Sequence, residues 1–136
     1  MAADAMSLAG DVSTRPRERA EAGLSIVVPL YNEAGNLAAL HARLSEVAKR
    51  LRTTRRLAVE AVYVDDGSQD ATLSVARALP ADVLDVQVVS LSRNFGKEAA
   101  LLAGLDHARF GALMFMDGDG QHPPALIDTL IGHWLD

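Results

Sequence analysis

Four short apolar runs, each followed by a polar cluster, constrain the fold more than any other feature of the sequence. They cover residues 24–30, 57–64, 83–91 and 112–116, and stretches with helical spacing separate them. Continuous β-branched and apolar runs are typical of strands buried on both faces, and strands that alternate with helices form parallel sheets. The pattern therefore predicts an α/β fold, an open, mostly parallel sheet with helices on both faces.

Between these runs, apolar residues recur at spacings of three and four, which is the helical period. Helices are expected near residues 37–51, 70–79 and 97–108, and a last one begins at the proline pair 123–124, because proline suits a first helical turn. Ser68 is the expected N-cap of the second helix, since its hydroxyl oxygen can accept from backbone N–H groups there.

Polar residues follow each predicted strand at the point where the apolar run ends. These clusters lie at residues 31–33, 65–68, 93–96 and 117–121. In open parallel sheets the carboxyl ends of the strands meet at one edge, and ligands bind outside that edge. Four clusters at one edge exceed what solubility requires, so we expect this edge to hold the functional site.

The cluster after the fourth predicted strand contains two carboxylates one residue apart, Asp117 and Asp119. Gly118 and Gly120 let the backbone turn, so both side chains can reach one divalent cation that keeps positions open for phosphate oxygens. A solvated turn is the plain alternative, because Asp-Gly pairs are common turn formers. A calcium loop fits poorly, since His122 stands where that loop requires glycine.

Composition places the chain among globular proteins. It has 136 residues, 49% of them hydrophobic, and no apolar run approaches the roughly 20 residues of a membrane span. The lack of cysteine excludes disulfides and thiol chemistry and fits the cytosol. Residues 1–23 lack the apolar core of a signal peptide and are expected to form a disordered tail, which leaves residues 24–136 as one domain.

The net charge of −5 argues against nucleic acid as a partner. It also means that an anionic ligand needs a local source of positive charge, such as a metal ion or a helix N-terminus. Arg93 and Lys97 flank the predicted start of the third helix, which is a natural place for an anion. The alternative interpretation is two solvated charges.

The residues after the first two predicted strands also have two interpretations. Tyr31 could stack on a base, and Glu33 could accept from a ribose hydroxyl. Asp65 and Asp66 could accept from a base edge or a ribose, as acidic residues do in nucleotide-binding sheets. The alternatives are an ordinary strand-to-helix turn and helix capping. The sequence has neither the glycine-rich dinucleotide fingerprint nor a P-loop.

Four segments together resemble family 2 glycosyltransferases of the GT-A fold. They are SIVVPLYNE at 25–33, VDDGSQDAT at 64–72, RNFGKEAA at 93–100 and MDGDGQHPP at 116–124. The third segment points to the polyprenyl-phosphate branch, which includes dolichol-phosphate mannosyltransferase and the bactoprenol glucosyltransferases. The resemblance runs in order from about residue 24 to residue 136 and implies the Rossmann-like, nucleotide-binding half of a GT-A fold.

The resemblance also implies roles for the matching residues. The nucleoside of a sugar nucleotide would be held by Pro29, Tyr31, Asn32, Glu33, Asp65 and Asp66, and Asp117 would be a further nucleotide-binding residue. Mg²⁺ or Mn²⁺ would be bound by Asp117, Asp119 and Gln121, and Asp119 is the residue assigned to catalysis. Arg93 and Lys97 would lie on the phosphate or acceptor side.

The implied function is metal-dependent, inverting transfer of a hexose from a UDP- or GDP-sugar to a polyprenyl phosphate, in the cytoplasm at the inner face of the membrane. Two alternatives stay open, a sugar-nucleotide-binding module without activity of its own and a family 2 enzyme with a saccharide acceptor. Family members continue with a second half, so residues 24–136 match the donor-binding part. An unpaired sheet edge then predicts self-association or a need for the missing half.

Overall fold

The computed structural model describes residues 23–118 and the single position 129. Its elements are β1 (Gly23–Leu30), α1 (Ala34–Arg55), β2 (Ala58–Asp65), α2 (Thr72–Arg77), β3 (Leu84–Ser90), α3 (Lys97–His107) and β4 (Ala112–Phe115). The expected N-terminal tail lies outside the described residues apart from Gly23, which begins β1. The helix expected from residue 123 also lies outside them, apart from position 129, which is helical.

The four strands form one parallel sheet in the order β3-β2-β1-β4. The pairing of β1 with β2 extends over its whole length, whereas β4 pairs only with residues 24–27 of β1. The chain adds strands on one side of β1 as far as β3 and then crosses to the other side for β4. Ligands of open α/β sheets bind in the crevice at such a reversal of strand order.

The predicted α/β architecture, with helices on both faces of a parallel sheet, is confirmed. Successive side chains of a strand point to opposite faces. Leu24, Ile26 and Val28 of β1 belong to the larger core, which contains residues of α1 and α2. Val27 belongs to a second core, with Ala100 of α3, on the opposite face.

Helix α3 packs closely on the sheet because residue 104 is glycine. A methyl group built on Gly104 would lie 2.2 Å from Val27 Cγ1 and 3.2 Å from Val64 Cγ2. The helix therefore lies directly against β1 and β2. This close packing keeps the first residue of α3, Lys97, near the carboxyl edge of the sheet.

A buried carboxylate joins three strands on the α3 face of the sheet. Glu60 of β2 is fully buried, and its Oε2 accepts from Ser25 Oγ at 2.6 Å and from Arg109 N at 2.7 Å. Its Oε1 accepts from Gln87 Nε2 at 2.8 Å and from Arg109 Nε at 3.1 Å. Burial works against the Arg109 charge, but hydrogen bonds to Asp85 and Glu60 outweigh it and raise the pKa of Arg109 above its ordinary value.

On the other face, a buried histidine ties α1 to the connection between α2 and β3. His41 Nδ1 lies 2.8 Å from the Tyr63 hydroxyl oxygen, and Nε2 lies 2.8 Å from the Pro80 carbonyl oxygen. Because a carbonyl only accepts, Nε2 carries the proton and Nδ1 accepts from the Tyr63 hydroxyl. Burial raises the pKa of Tyr63 well above its ordinary value, so this hydroxyl stays a donor.

The expected capping of α2 by Ser68 is wrong. The helix begins at Thr72, and its N-cap residue Ala71 makes no side-chain capping bond in the described part of the chain. Ser68 Oγ instead accepts from the backbone N–H of Asn32 at 2.9 Å. The serine therefore serves the turn after β1 and not the helix that follows it.

Candidate functional site

An open pocket of about 290 Å³ lies at the carboxyl edge of the sheet. Its lining comes from the last two residues of β1 and from the segments that follow all four strands, as the positions of the polar clusters predicted. The lining residues are Pro29, Leu30, Tyr31, Glu33, Asp66, Asn94, Gly96, Lys97, Asp117 and Gly118. The structure thus brings together candidate residues that are as far apart in the sequence as Pro29 and Asp117.

The turn after β1 is held by hydrogen bonds to the loop after β2. Asn32 has a φ of 55°, its N–H donates to Ser68 Oγ at 2.9 Å, and its Oδ1 accepts from Gln69 N at 2.9 Å. The backbone N–H of Glu33 donates to Thr72 Oγ1 at 2.8 Å. Among residues 23–118, Asn32 is not one of those that line the pocket. Its side chain instead holds the turn that forms one wall of the pocket.

The carboxylate of Asp70 caps the start of α1. Its Oδ2 accepts from Ala34 N at 3.3 Å, and its Oδ1 accepts from both the backbone N–H of Thr72, at 2.9 Å, and the Thr72 hydroxyl. The hydroxyl bond from Thr72 is the main reason that the pKa of Asp70 lies below its ordinary value. A loop distant in sequence therefore caps α1.

Asp66 fixes the loop that leads into α3. It is 4% exposed, and its Oδ1 and Oδ2 accept from Phe95 N at 2.8 Å and Gly96 N at 3.1 Å. Gly67 allows the two loops to touch, because its φ is 71° and an added Cβ would lie 2.3 Å from the Arg93 carbonyl carbon. Asp66 therefore lines the pocket and also positions its neighbouring wall.

The adjacent Asp65 lies in a different environment. It lines a second cavity together with Ser68, Asp70 and Arg77. Among residues 23–118, it is not one of those that line the first pocket. Asp65 Oδ2 accepts from Ser68 N at 3.3 Å, whereas its buried Oδ1 has no hydrogen-bond partner in the described part of the chain. The structure thus separates two carboxylates that the sequence pattern treated alike.

Lys97 and Asp117 form an ion pair at the pocket, between the ammonium and Asp117 Oδ1. Lys97 is the first residue of α3, so its charge adds to the positive end of the helix dipole. Gly118 lets the chain pass close to β1, since an added Cβ would lie 2.6 Å from Leu30 Cδ2 and 3.1 Å from Pro29 O. This passage holds Asp117 opposite the start of α3.

Two aromatic side chains are exposed near the pocket. Tyr31 lines it and is 41% exposed, so its ring is accessible to a planar ligand. Phe95 is 49% exposed, and the Arg93 guanidinium carbon lies 4.7 Å from the centroid of its ring. Arg93 thus stacks on the Phe95 ring. Among residues 23–118, it is not one of those that line the pocket.

The charges of the pocket favour a cation. Glu33, Asp66 and Asp117 are set against the ammonium of Lys97. A phosphorylated ligand would meet net repulsion here unless a positive ion accompanied it. Asp117 already holds one positive charge in the pocket, the ammonium of Lys97.

The other expected metal ligands, Asp119 and Gln121, lie outside the described residues. Within residues 23–118, no group of three or more Asp, Glu, His or Cys side chains is arranged to hold a metal ion. A divalent cation at Asp117 would therefore need further ligands from the next residues of the chain or from a bound phosphate. Asp117 fits such a cation as one carboxylate ligand among several.

Leu30, Asn94 and Gly96 also line the pocket. Asn94 and Gly96 belong to the predicted cluster at 93–96 but had no individual role, and Leu30 was not a candidate from the sequence. Gly96 has a φ of 106° and immediately precedes α3, a conformation that favours glycine. Its position directly before a predicted helix start was the signal for this role. Leu30 carried no signal, because it ends an ordinary buried strand.

Solved structures share this architecture. TarS of S. aureus, residues 1–349, aligns with a TM-score of 0.61 at 24% identity over 81% of this chain and 31% of that one. TarS in complex with UDP gives 0.56 at 28% identity, over 71% and 27%. A mannosyltransferase from Pyrobaculum calidifontis, in complex with GDP-Man and Mn²⁺, gives 0.52 at 28% identity, over 71% and 27%. The fold class is therefore the GT-A fold.

The family model "Glycosyl transferase family 2" matches residues 25–136, and the chain belongs to this family. It is 46% identical over 113 residues to an uncharacterized glycosyltransferase of Synechocystis sp., covering 83% of this chain and 34% of that protein. It is 40% identical over 111 residues to a prophage bactoprenol glucosyl transferase homolog of Escherichia coli, covering 82% and 35%. The chain thus spans about a third of the length of these relatives.

Among the helices that the structure describes, none has both the length and the hydrophobicity that a membrane span requires.

Proposed function

We propose that this chain forms the donor site of a glycosyltransferase that moves a hexose from a UDP- or GDP-sugar to a polyprenyl phosphate. The observation that carries the proposal is the convergence of Tyr31, Glu33, Asp66, Lys97 and Asp117 on one pocket at the reversal of strand order. Membership of family 2 supports transferase activity.

The proposed donor lies along the pocket from the turn after β1 towards Asp117. Tyr31 stacks on the base, because its ring is exposed at the pocket wall. Glu33 accepts from a ribose hydroxyl, and Asp66 stays engaged with the loop before α3 while it borders the base. In this assignment Asn32 and Asp65 support the nucleoside site from behind and do not contact the nucleoside.

The diphosphate of the donor lies between Lys97 and Asp117 in this proposal. The start of α3 and the Lys97 ammonium attract its oxygens, while Asp117, with Asp119 and Gln121, holds Mg²⁺ or Mn²⁺. A divalent ion at this place supplies positive charge that stabilises the leaving diphosphate. The neighbour with bound GDP-Man and Mn²⁺ supports this part of the proposal.

A phosphate acceptor suits this site because it needs little help from a general base. With a second pKa of about 6, a phosphate monoester is largely dianionic at neutral pH and is already a nucleophile. Its direct attack on the sugar would invert the anomeric centre. The relatives named bactoprenol glucosyl transferases favour a polyprenyl phosphate over a saccharide acceptor, and such a lipid would put the reaction at the inner face of the membrane.

The test is a calorimetric titration of the chain with UDP and then with GDP, each with and without Mn²⁺. We expect one nucleotide to bind tightly only with the metal. In Asp117→Asn and Asp119→Ala, we expect added Mn²⁺ no longer to tighten nucleotide binding. Metal-dependent binding that persists in Asp119→Ala would refute the metal assignment. Failure of both nucleotides to bind would refute the donor site.

A turnover assay then separates the enzyme from the binding module. Transfer of labelled sugar from the donor to a polyprenyl phosphate supports the proposed reaction. Transfer to a saccharide alone would favour the other acceptor class. Tight donor binding without any transfer would favour a sugar-nucleotide-binding module.

A further inference from the structure

The ion pair between Lys97 and Asp117 is open to the pocket. The Lys97 side chain is 59% exposed and that of Asp117 is 27% exposed. Ion pairs with this degree of exposure contribute little to stability, because water screens the attraction and ordering a long side chain costs entropy. A more strongly charged cation can therefore displace the ammonium from Asp117.

The backbone of Lys97 is fixed even though its side chain is not. Lys97 begins α3, and the two residues before it donate their N–H groups to the buried carboxylate of Asp66. Lysine carries its charge on a flexible four-carbon stem. The ammonium can therefore turn from Asp117 to another group in the pocket while the wall of the pocket stays in place.

We infer that Lys97 is an exchangeable counter-ion of Asp117. The ammonium neutralises this carboxylate while the donor site is empty, and it moves to the diphosphate of the donor when a divalent cation binds Asp117. The inference rests on the proposed function, because it requires a nucleoside diphosphate and a divalent cation in the same pocket. It adds a coupling between the two ligands that neither ligand site alone would produce.

The coupling follows from the charges. A divalent cation that binds alone must break the ion pair and leave the Lys97 ammonium without its partner. A diphosphate that binds alone brings negative charge next to Asp117. When both bind, the cation binds the Asp117 carboxylate and the diphosphate binds the Lys97 ammonium. The diphosphate thus supplies a partner for the ammonium, and the cation removes the repulsion between the diphosphate and Asp117. By thermodynamic linkage, the cation and the nucleotide then tighten each other's binding by the same factor.

The experiment measures Mn²⁺ binding to the 136-residue chain by the electron paramagnetic resonance signal of free Mn²⁺, with and without UDP or GDP. Calorimetry gives nucleotide affinity with and without Mn²⁺. The variant Lys97→Met removes the ammonium and keeps an unbranched side chain. Lys97→Arg keeps the charge, and Lys49→Met removes one charge from an exposed position of α1 as the matched control.

In Lys97→Met, we expect Mn²⁺ to bind about two- to fivefold more tightly in the absence of nucleotide, because its competitor is gone. The factor by which Mn²⁺ tightens nucleotide binding should fall, and the factor that remains measures the direct attraction between the cation and the diphosphate. Lys97→Arg should retain most of that factor, and Lys49→Met should behave as the unmodified chain. A lysine that only supported the fold would weaken the binding of both ligands together when it is replaced.

The outcomes that contradict the inference are distinct from those that contradict the donor site. If the unmodified chain binds neither Mn²⁺ nor a nucleotide, both the donor site and the exchange are refuted. If it shows metal-dependent nucleotide binding but Lys97→Met matches Lys49→Met, the donor site stands and only the exchange is refuted. Weaker binding of Mn²⁺ alone to Lys97→Met would likewise refute the exchange.

Discussion

Replacing Glu60 by alanine should be the most damaging single change in the α3 face of the sheet. Four donor groups lose their bond to Glu60, namely Ser25 Oγ, Gln87 Nε2, and the N and Nε of Arg109, which now bond it at 2.6, 2.8, 2.7 and 3.1 Å. Of these, Gln87 Nε2 keeps a second bond to the His107 carbonyl oxygen at 2.9 Å. Removing one partner of a buried charged pair typically costs about 3–5 kcal/mol. We expect a value near the lower end, about 3 kcal/mol, because Arg109 is 45% exposed and keeps Asp85 as a partner.

Glu60→Gln separates the loss of charge from the loss of shape. The amide retains one acceptor oxygen but presents a donor to one side of the network, where Arg109 N also donates. Because the amide keeps the shape of the side chain and one acceptor oxygen, the loss of unfolding free energy should lie between that of Glu60→Ala and zero.

The assay is urea unfolding followed by far-ultraviolet circular dichroism, with the midpoint compared at constant m-value. Asp85→Ala is the control, since it removes only the exposed partner of Arg109 and should cost less than about 1 kcal/mol. If Glu60→Ala and Asp85→Ala lower the free energy of unfolding by the same amount, the reasoning is refuted, because the buried network would then add no stability.

Two further predictions use the same assay. Gly104→Ala should destabilise the fold by about 1–3 kcal/mol, because the new methyl group would lie 2.2 Å from Val27 Cγ1. Gly35→Ala, whose methyl group would meet no atom within 4 Å, should be neutral or stabilising, and equal effects of the two would contradict the close packing of α3. Asp70 has a depressed pKa in the folded chain, so its contribution is present above the ordinary value of 3.8 and is lost as the pH falls below it. Asp70→Asn should therefore lose less stability between pH 7 and pH 3 than the unmodified chain, and an equal loss would contradict the assignment.

The parts of the fold that depend on apolar pattern were predictable. The order of strands and helices followed from continuous apolar runs and helical spacing, and the start of α3 at Lys97 agrees with the expected position. The length of α1 was not predictable in this way. Its apolar spacing ends at Leu51, but the helix continues to Arg55 through exposed residues and stops at Arg56, which has a φ of 57°.

The carboxyl edge was predictable as the place of the pocket, because parallel strands present their carboxyl ends together. The separate roles of the residues within each polar cluster were harder to predict. Asp65 and Asp66 are neighbours, and the alternation of side chains along a strand could have separated them. The partners of Glu60 could not be found from the sequence, since Arg109 lies 49 residues away and nothing in the strand marks the contact.

The capping of α1 has a consequence for folding kinetics. The start of this helix depends on side chains of the β2–α2 loop and of the first residue of α2, which bond Asn32, Glu33 and Ala34 across at least 36 residues of chain. A helix start without local caps is the part most prone to fray, and its partners arrive only after β2 has been placed beside β1. We therefore expect the two loops to become ordered together, after β1 and β2 have paired, and to open together as one cooperative unit.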